Sequence, residues 1–331
     1  VYFTDNEYYS YNEEALKNAV LSLSEKRGDL SFFNAPLSDF IEEGNRITAD
    51  DFIEFFVNPS RALLSARMGI GLDPGELPLR DEEPFVPDGL DRYVVDSAVL
   101  KALETGRDMD EYYRILRSAG VLPHGASGRV FYRDSLDEQR FFYSRIKPYL
   151  MEKDDTEHIT VEAGGIEISG TVKSLYGGTS VFYRCAGIKA RDMLRSWIYH
   201  LLLCASGEKG YETVFFGRDE RVNINPIPQG EALGNLEVLA GLFRRGMMEP
   251  LKVFERSTFA YVEEFFKTSS EPGQKAMKKA VNAFHGSRFM QGDIEDFYVN
   301  RLFAGYSPDR EFSDNAVLIY KSVYENMERR K

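Results

Sequence analysis

Cysteine is nearly absent: Cys185 and Cys204 are the two thiols in 331 residues. Two thiols cannot build a disulfide framework, a four-thiolate zinc site or an iron–sulfur cluster within this chain, and both are expected to be buried. Histidine is scarce as well. His124, His158, His200 and His285 show no H-x-x-x-H or other close metal spacing, and His200 falls near the apolar face of a predicted helix, so structural roles are expected. No run approaches the ~18 to 20 apolar residues that span a bilayer. The opening VYFTDNEYYSYNEE is too acidic and polar for a secretory signal, so a cytoplasmic, membrane-free location is expected. Val1 in place of Met leads us to expect a piece of a longer protein. A basic excess is also missing: 41 Lys and Arg stand against 53 Asp and Glu, a net charge of −12 with a pI near 5.0. Nucleic acid is therefore not held by bulk charge, and any DNA contact must be local. The Gly-rich stretches GIGLDPG and YGGTS lack the G-x-x-x-x-G-K-[ST] order of a phosphate-binding loop, so neither ATP nor another cofactor is expected.

What the chain does have is a 43% hydrophobic content, enough for a real core, with 19 Tyr and 24 Phe, most of them core and some available as stacking platforms. Residues 1–46 read as a polar lead-in. T-x-x-D at Thr48–Asp51 resembles a capping box, and Asn58-Pro59 repeats the start signal, with Gly69 closing the segment. A Pro-, Gly- and acid-rich loop, GLDPGELPLRDEEPF, follows. Asp96 is then placed as the cap of a helix running to about Glu104, and a further helix covers Asp110–Ala119. Helical spacing returns between Gly128 and Leu150. From Ile159 to Arg184 the period changes to alternation with paired glycines, which predicts a three-stranded meander. Met193, Leu194, Trp197, Ile198, Leu201 and Leu202 mark a strongly apolar helix face ending at Gly207. A strand at Thr213–Phe216 and helices at Glu231–Arg245, Thr258–Lys267, Gln274–Phe284 and Asp293–Phe303 complete the reading.

The segments FFVNPSRALLSARMGI, DEEPFVPDGLDRY, RSAGVLPHGASG, WIYHLLLCASG, EPLKVF and GDIEDFYVNRLF occur in this order and, over roughly residues 48–305, resemble the C-terminal region of RecC proteins. The resemblance implies an α/β fold: a core like that of the PD-(D/E)xK nucleases, a small mixed sheet flanked by helices, with a helical N-terminal layer. It implies a division into a 1–46 lead-in, a 47–125 helical layer and a 126–331 core, or a single domain over 47–331. It also implies a non-catalytic part of the RecBCD helicase–nuclease (exodeoxyribonuclease V), acting in double-strand break repair and recombination. Such a part assembles with RecB-like and RecD-like subunits and guides forked or single-stranded DNA.

Active relatives of that fold carry Gly-x-x-x-His at a helix start, an aspartate in one strand and Asp-x-Lys in the next, oxygen ligands suited to Mg²⁺ and a lysine for the phosphate. The resemblance places Tyr132, four residues after Gly128, at the histidine, Lys173 at the first aspartate, and Arg184 and Ala186 at the Asp-x-Lys pair. Independently, a hairpin loop of Gly177–Ser180 pairs Tyr176 with Val181 and sets Lys173 opposite Arg184 on one face; a two-residue loop keeps the face. Two such cations repel each other and a metal by ~4 kcal/mol per close pair, so no metal is expected. Two readings stay open. Lys173 and Arg184, with Lys189, Arg191 and Arg195, hold a phosphate or a partner's carboxylate, or Lys173 and Arg184 face solvent or pair with Glu162 or Glu167.

Arg61, Arg67 and the basic face Lys275, Lys278 and Lys279 are further candidates for DNA or partner contact, with surface solvation as the alternative. Arg244 and Arg245 end a helix where cations are favoured anyway. The acids Asp293, Glu295 and Asp296 read as N-terminal helix chemistry, with Asp296 in reach of Arg301. The rival functions are a metal-dependent nuclease using Glu162, Glu167, Asp192 or Asp293, and a scaffold that touches only protein.

Overall fold

The computed structural model describes residues 33, 35–39, 46–72, 88–153, 157–207, 210–267, 272–288 and 290–330. Pro36–Lys331 forms one compact unit. Most of the expected 1–46 lead-in and residues 73–85 of the expected loop lie outside the described residues.

Strand β1, Arg46–Thr48, runs into helix α1, Ala49–Val57, whose first turn is capped as expected: the Asp51 amide donates to Thr48 Oγ1 at 3.0 Å. Asn58 then caps α2, Pro59–Arg61, accepting from the Arg61 amide at 2.9 Å. The chain continues as a π-helix, Ala62–Arg67, where an ordinary helix was expected. Helix α3 covers Gly89–Glu104 and starts seven residues before Asp96. Its cap is Asp88, in a reciprocal box with Asp91, so the assignment of Asp96 as cap is overturned. Asp96 lies mid-helix and fully buried. Helices α4, Met109–Ser118, and α5, Gly125–Ile146, complete this helical layer, and α5 packs along α3 around Val95, Val99, Leu116 and Leu136.

The alternating stretch makes four strands in two sheets instead of one meander. Strands β2, Glu157–Ala163, and β3, Ile166–Val172, form a hairpin over Gly164-Gly165, both at positive φ as a two-residue turn requires. Parallel pairing of β1 with β3 gives a three-stranded sheet, order β1-β3-β2. The chain then leaves this sheet at Lys173. Strands β4, Leu175–Tyr176, and β5, Thr179–Tyr183, belong to a second sheet, order β4-β5-β6-β7-β8. Helix α6, Ala190–Ser206, crosses over to β6, Glu212–Phe216, which lies parallel to β5. Strand β7, Arg221–Ile224, follows, then α7, Gln229–Gly246; α8, Glu255–Phe265; α9, Pro272–His285; α10, Phe297–Phe303; and α11, Arg310–Asn326. Strand β8, Met327–Arg330, returns antiparallel to β7. The result is a mixed α/β architecture with small sheets. The helix expected at Asp293–Phe303 is instead a 3-10 turn, Asp293–Glu295, followed by α10, because Asp296 caps the latter through the amides of Tyr298 and Val299.

Helix α6 is the centre of the main core. Trp197, Ile198, Leu201 and Leu202 are all buried against β2, α1 and α7, as their spacing predicts. No helix of the described residues is long and apolar enough to cross a membrane.

Candidate functional site at the head of helix α6

The turn from β5 into α6 carries three of the nominated residues, Arg184, Ala186 and Lys189. β5 ends at Tyr183, and the Arg184 amide still bonds to Phe216 O at 2.8 Å, which fixes the backbone at the lip of the second sheet. From there the Arg184 side chain, 16% exposed, donates Nη1 to Asp192 Oδ2 at 2.7 Å and lies over the Tyr93 ring at 5.1 Å. Asp192 also accepts the Lys189 amide at 3.0 Å, so one carboxylate both opens α6 and neutralises Arg184. Arg184 Nε is buried without a hydrogen-bond partner among the described residues.

The hairpin ahead of this turn differs from the expected one. Its loop is Gly177-Gly178, Tyr176 pairs with Thr179, and the ladder ends at Leu175 and Ser180. Lys173 sits at the switch between sheets, exposed and outside both ladders, so it is not Arg184's strand partner. Glu162 and Glu167 do not serve Arg184 either. They face each other across β2 and β3, and Glu167 takes Arg46 at 2.6 Å.

Behind Arg184 lies a second cation that the sequence did not reveal. Arg218, from the β6–β7 turn, donates to Cys185 O at 3.0 Å and to Asp96 at 3.2 Å, while its amide bonds to Ala186 O at 3.0 Å. Asp96 also accepts from Ser135 Oγ at 2.6 Å, and Arg92 stands 3.7 Å away. Burial pushes the Asp96 carboxyl above its ordinary range, opposed by the Ser135 hydrogen bond and by the two guanidiniums. The strand end at Ala186 is thereby tied to α3 and α5. A lone acid inside the apolar run YVVDSAVL was the available signal for Asp96; nothing local marks Arg218.

Tyr132 lies within α5, not at its start. It is buried, donates its hydroxyl to Met109 O at 2.8 Å, and has its pKa pushed up to about 12, chiefly by burial. Gly128 is needed for packing: a Cβ there would stand 1.9 Å from Pro123 O.

The remaining candidates are dispersed. Arg191 makes a two-pronged pair with Glu255 at 3.0 and 3.2 Å, and Arg195 pairs with Glu54. Lys189 and Lys278 are exposed. Arg67 donates to Ser38 O at 3.0 Å. Lys275 and Lys279 both bind Glu264 at 2.6 Å, which holds that carboxyl down at about 2. Arg61 is exposed and, with Arg191, lines a cavity between α1, α8 and α10. His200 bonds to Thr213 Oγ1 at 3.0 Å, and burial lowers its pKa to about 4. Asp293 turns inward, accepting the Ser257 amide at 2.7 Å and the Arg256 amide at 3.2 Å, so it caps α8 instead of opening its own helix. Asp296 is occupied by backbone amides and by Asn58. Among the described residues, no three His, Cys, Asp or Glu side chains gather where they could hold a metal ion.

The sequence model of the family described as RecC C-terminal domain matches residues 44–266. The chain belongs to that family. Similar proteins include the RecBCD enzyme subunit RecC of Escherichia coli (strain K12), 26% identical over 262 residues, 77% of this chain and 23% of that one. The subunit RecC of Haemophilus influenzae is 22% identical over 259 residues, 75% of this chain and 22% of that one. The subunit RecC of Mycolicibacterium smegmatis is 23% identical over 280 residues, 82% and 25% of the two chains. The chain thus spans about a quarter of the length of the RecC relatives it matches. The head of α6 lies inside the RecC-matched span, whereas Lys275, Lys278 and Lys279 lie beyond it.

Proposed function

We propose that this chain is the non-catalytic C-terminal part of a RecC-type subunit. In this reading it assembles with RecB-like and RecD-like helicase subunits in double-strand break repair and recombination, in the cytoplasm, and guides separated DNA strands. Its core is a PD-(D/E)xK-type fold that has lost its metal ligands. The 1–46 lead-in, the 47–125 helical layer and the 126–331 core are its proposed parts, joined from 47 onward into one body.

The observation that carries the reading is Arg184. Where the resemblance places the aspartate of an Asp-x-Lys pair, a half-buried guanidinium is held by Asp192 and stacked on Tyr93. A cation fixed there repels a divalent metal. Glu162, Glu167, Asp192 and Asp293, the carboxylates a metal-dependent rival would use, are committed to separate places in the fold. Lys173 and Lys189, both exposed, remain the nearest candidates for a phosphate or a partner's carboxylate.

The test is assembly and DNA binding by the complete subunit with its helicase partners. Lys173→Ala with Arg184→Ala is expected to weaken binding to forked DNA and reduce its salt dependence, with the fold intact. Unchanged DNA affinity together with unchanged assembly would remove the assigned role of these residues.

A further inference from the structure

We infer that the cavity beside the π-helix receives a segment of a partner protein in which an apolar anchor is flanked by Lys or Arg. This rests on the reading of the chain as a subunit that docks on protein partners. The cavity encloses about 780 Å³ between α1, the π-helix, α8 and α10, within the ~300–1,000 Å³ typical of formed binding pockets. Phe55, Phe243, Met247 and Phe254, all buried core residues, contribute to an apolar floor.

Two independent features mark this cavity as more than a packing gap. The first is the π-helix itself. The Met68 amide reaches Leu63 O at 3.1 Å, a wide turn that sets Ser65 and Ala66, both exposed, on the cavity wall. Such turns are rare and concentrate at functional sites. The second is charge. Asp51, Glu54, Glu255, Asp293 and Asp296 line the cavity against Arg61, Arg191 and Arg256. Arg191 is already taken by Glu255, and Arg256 donates to Gln291. Asp51 accepts only from Thr48 and has no ion partner among the described residues. A nucleic-acid strand would meet carboxylates, whereas an apolar side chain with a cationic neighbour finds both an apolar floor and a complementary charge. Arg61, exposed at the wall, is available to a backbone carbonyl of the segment.

The experiment measures fluorescence anisotropy of three labelled probes with this chain: a short peptide of alternating Leu and Lys, its Leu and Glu counterpart, and a short oligothymidylate. The Lys peptide is expected to bind and the other two not to compete. Ala66→Trp, which fills the cavity from an exposed position, should weaken binding at least tenfold. Asp51→Asn should weaken it several-fold, and Glu162→Gln, the same charge change on the remote β2, should leave it unchanged; thermal melts verify the fold of each variant. The inference is overturned if Ala66→Trp binds like the parent, if Asp51→Asn and Glu162→Gln act alike, or if the Glu peptide or the oligothymidylate competes. Failure here with co-purification of helicase subunits intact removes this inference alone. Loss of co-purification with Lys-peptide binding retained removes the subunit reading instead.

Discussion

Around α6 the chain buries Trp197, Ile198, Leu201 and Leu202 among apolar neighbours, whereas the contact of α3 and α5 with the second sheet adds to an apolar cluster of Leu100, Phe142, Ile146, Val181, Val214 and Phe216 one buried carboxylate, Asp96. The first contact is non-directional and grows with the area removed from water. The second has a directional part besides: Ser135, Arg218 and Arg92 must all reach Asp96, and the gain depends on every partner being in place. The difference teaches where each region is sensitive. The core around α6 tolerates apolar exchange of similar volume, while the junction at Asp96 tolerates almost no change of chemistry but fixes how the helical layer sits on the sheet.

The comparison can be broken most forcefully at Trp197. Trp197→Ala leaves a large void beneath α6 and is expected to cost about 3–5 kcal/mol, read by denaturant unfolding. Asp96→Ala should cost less, about 1.5–3 kcal/mol for the lost hydrogen bonds to a charged group, but with a local signature: faster hydrogen exchange in α3 and α5 and little change in α6. Equal exchange throughout would erase the distinction between the two regions. Asp88→Ala removes the cap of α3 and should cost about 1 kcal/mol without loosening the Asp96 network, since that network sits two turns further on.

The smallest effect is one of pH. Glu264 has its folded pKa lowered to about 2 by Lys275 and Lys279. The stability it contributes is present above the carboxyl's ordinary value of 4.5 and is lost as pH falls through about 2. Glu264→Gln should therefore lower Tm across the neutral range and flatten the acid limb of a Tm-against-pH curve, the two curves converging as pH falls toward about 2; a parallel curve would show that the two lysines do not hold it.

Helix starts were legible at two side chains that cap their own helices, whereas Asp88 and Asp309, which do the same for α3 and α11, went unread. Thr48 and Asn58 are read from local spacing alone. Asp96 and Asp293 defeated that logic because each carboxylate turns inward to distant chain, Asp96 to Ser135 and Arg218, Asp293 to the first turn of α8. The alternation from Ile159 to Arg184 gave strands but not sheets. A single polar step, Lys173-Ser174, moves the chain from one sheet to the other, and period-two spacing carries no record of which partner a strand finds. Strand β8 is invisible for a related reason: MERR offers one apolar residue, Met327, too few for alternation to show, and exists as a strand through its pairing with β7. Helix α11, in contrast, was readable from Phe312, Ala316, Ile319 and Val323 and went unread. At the candidate site, the sequence placed Arg184 at the strand end but could not give Asp192 and Tyr93 as its partners, because the register depended on a turn two residues long.

The most direct test of a nuclease-type site without nuclease chemistry is cleavage of an end-labelled forked DNA by this chain in Mg²⁺ and in Mn²⁺, with a chelator control. The account predicts no products with either metal. Metal-dependent products that persist through purification and vanish on Asp192→Asn or Asp293→Asn, with the fold of the variant verified, would contradict it.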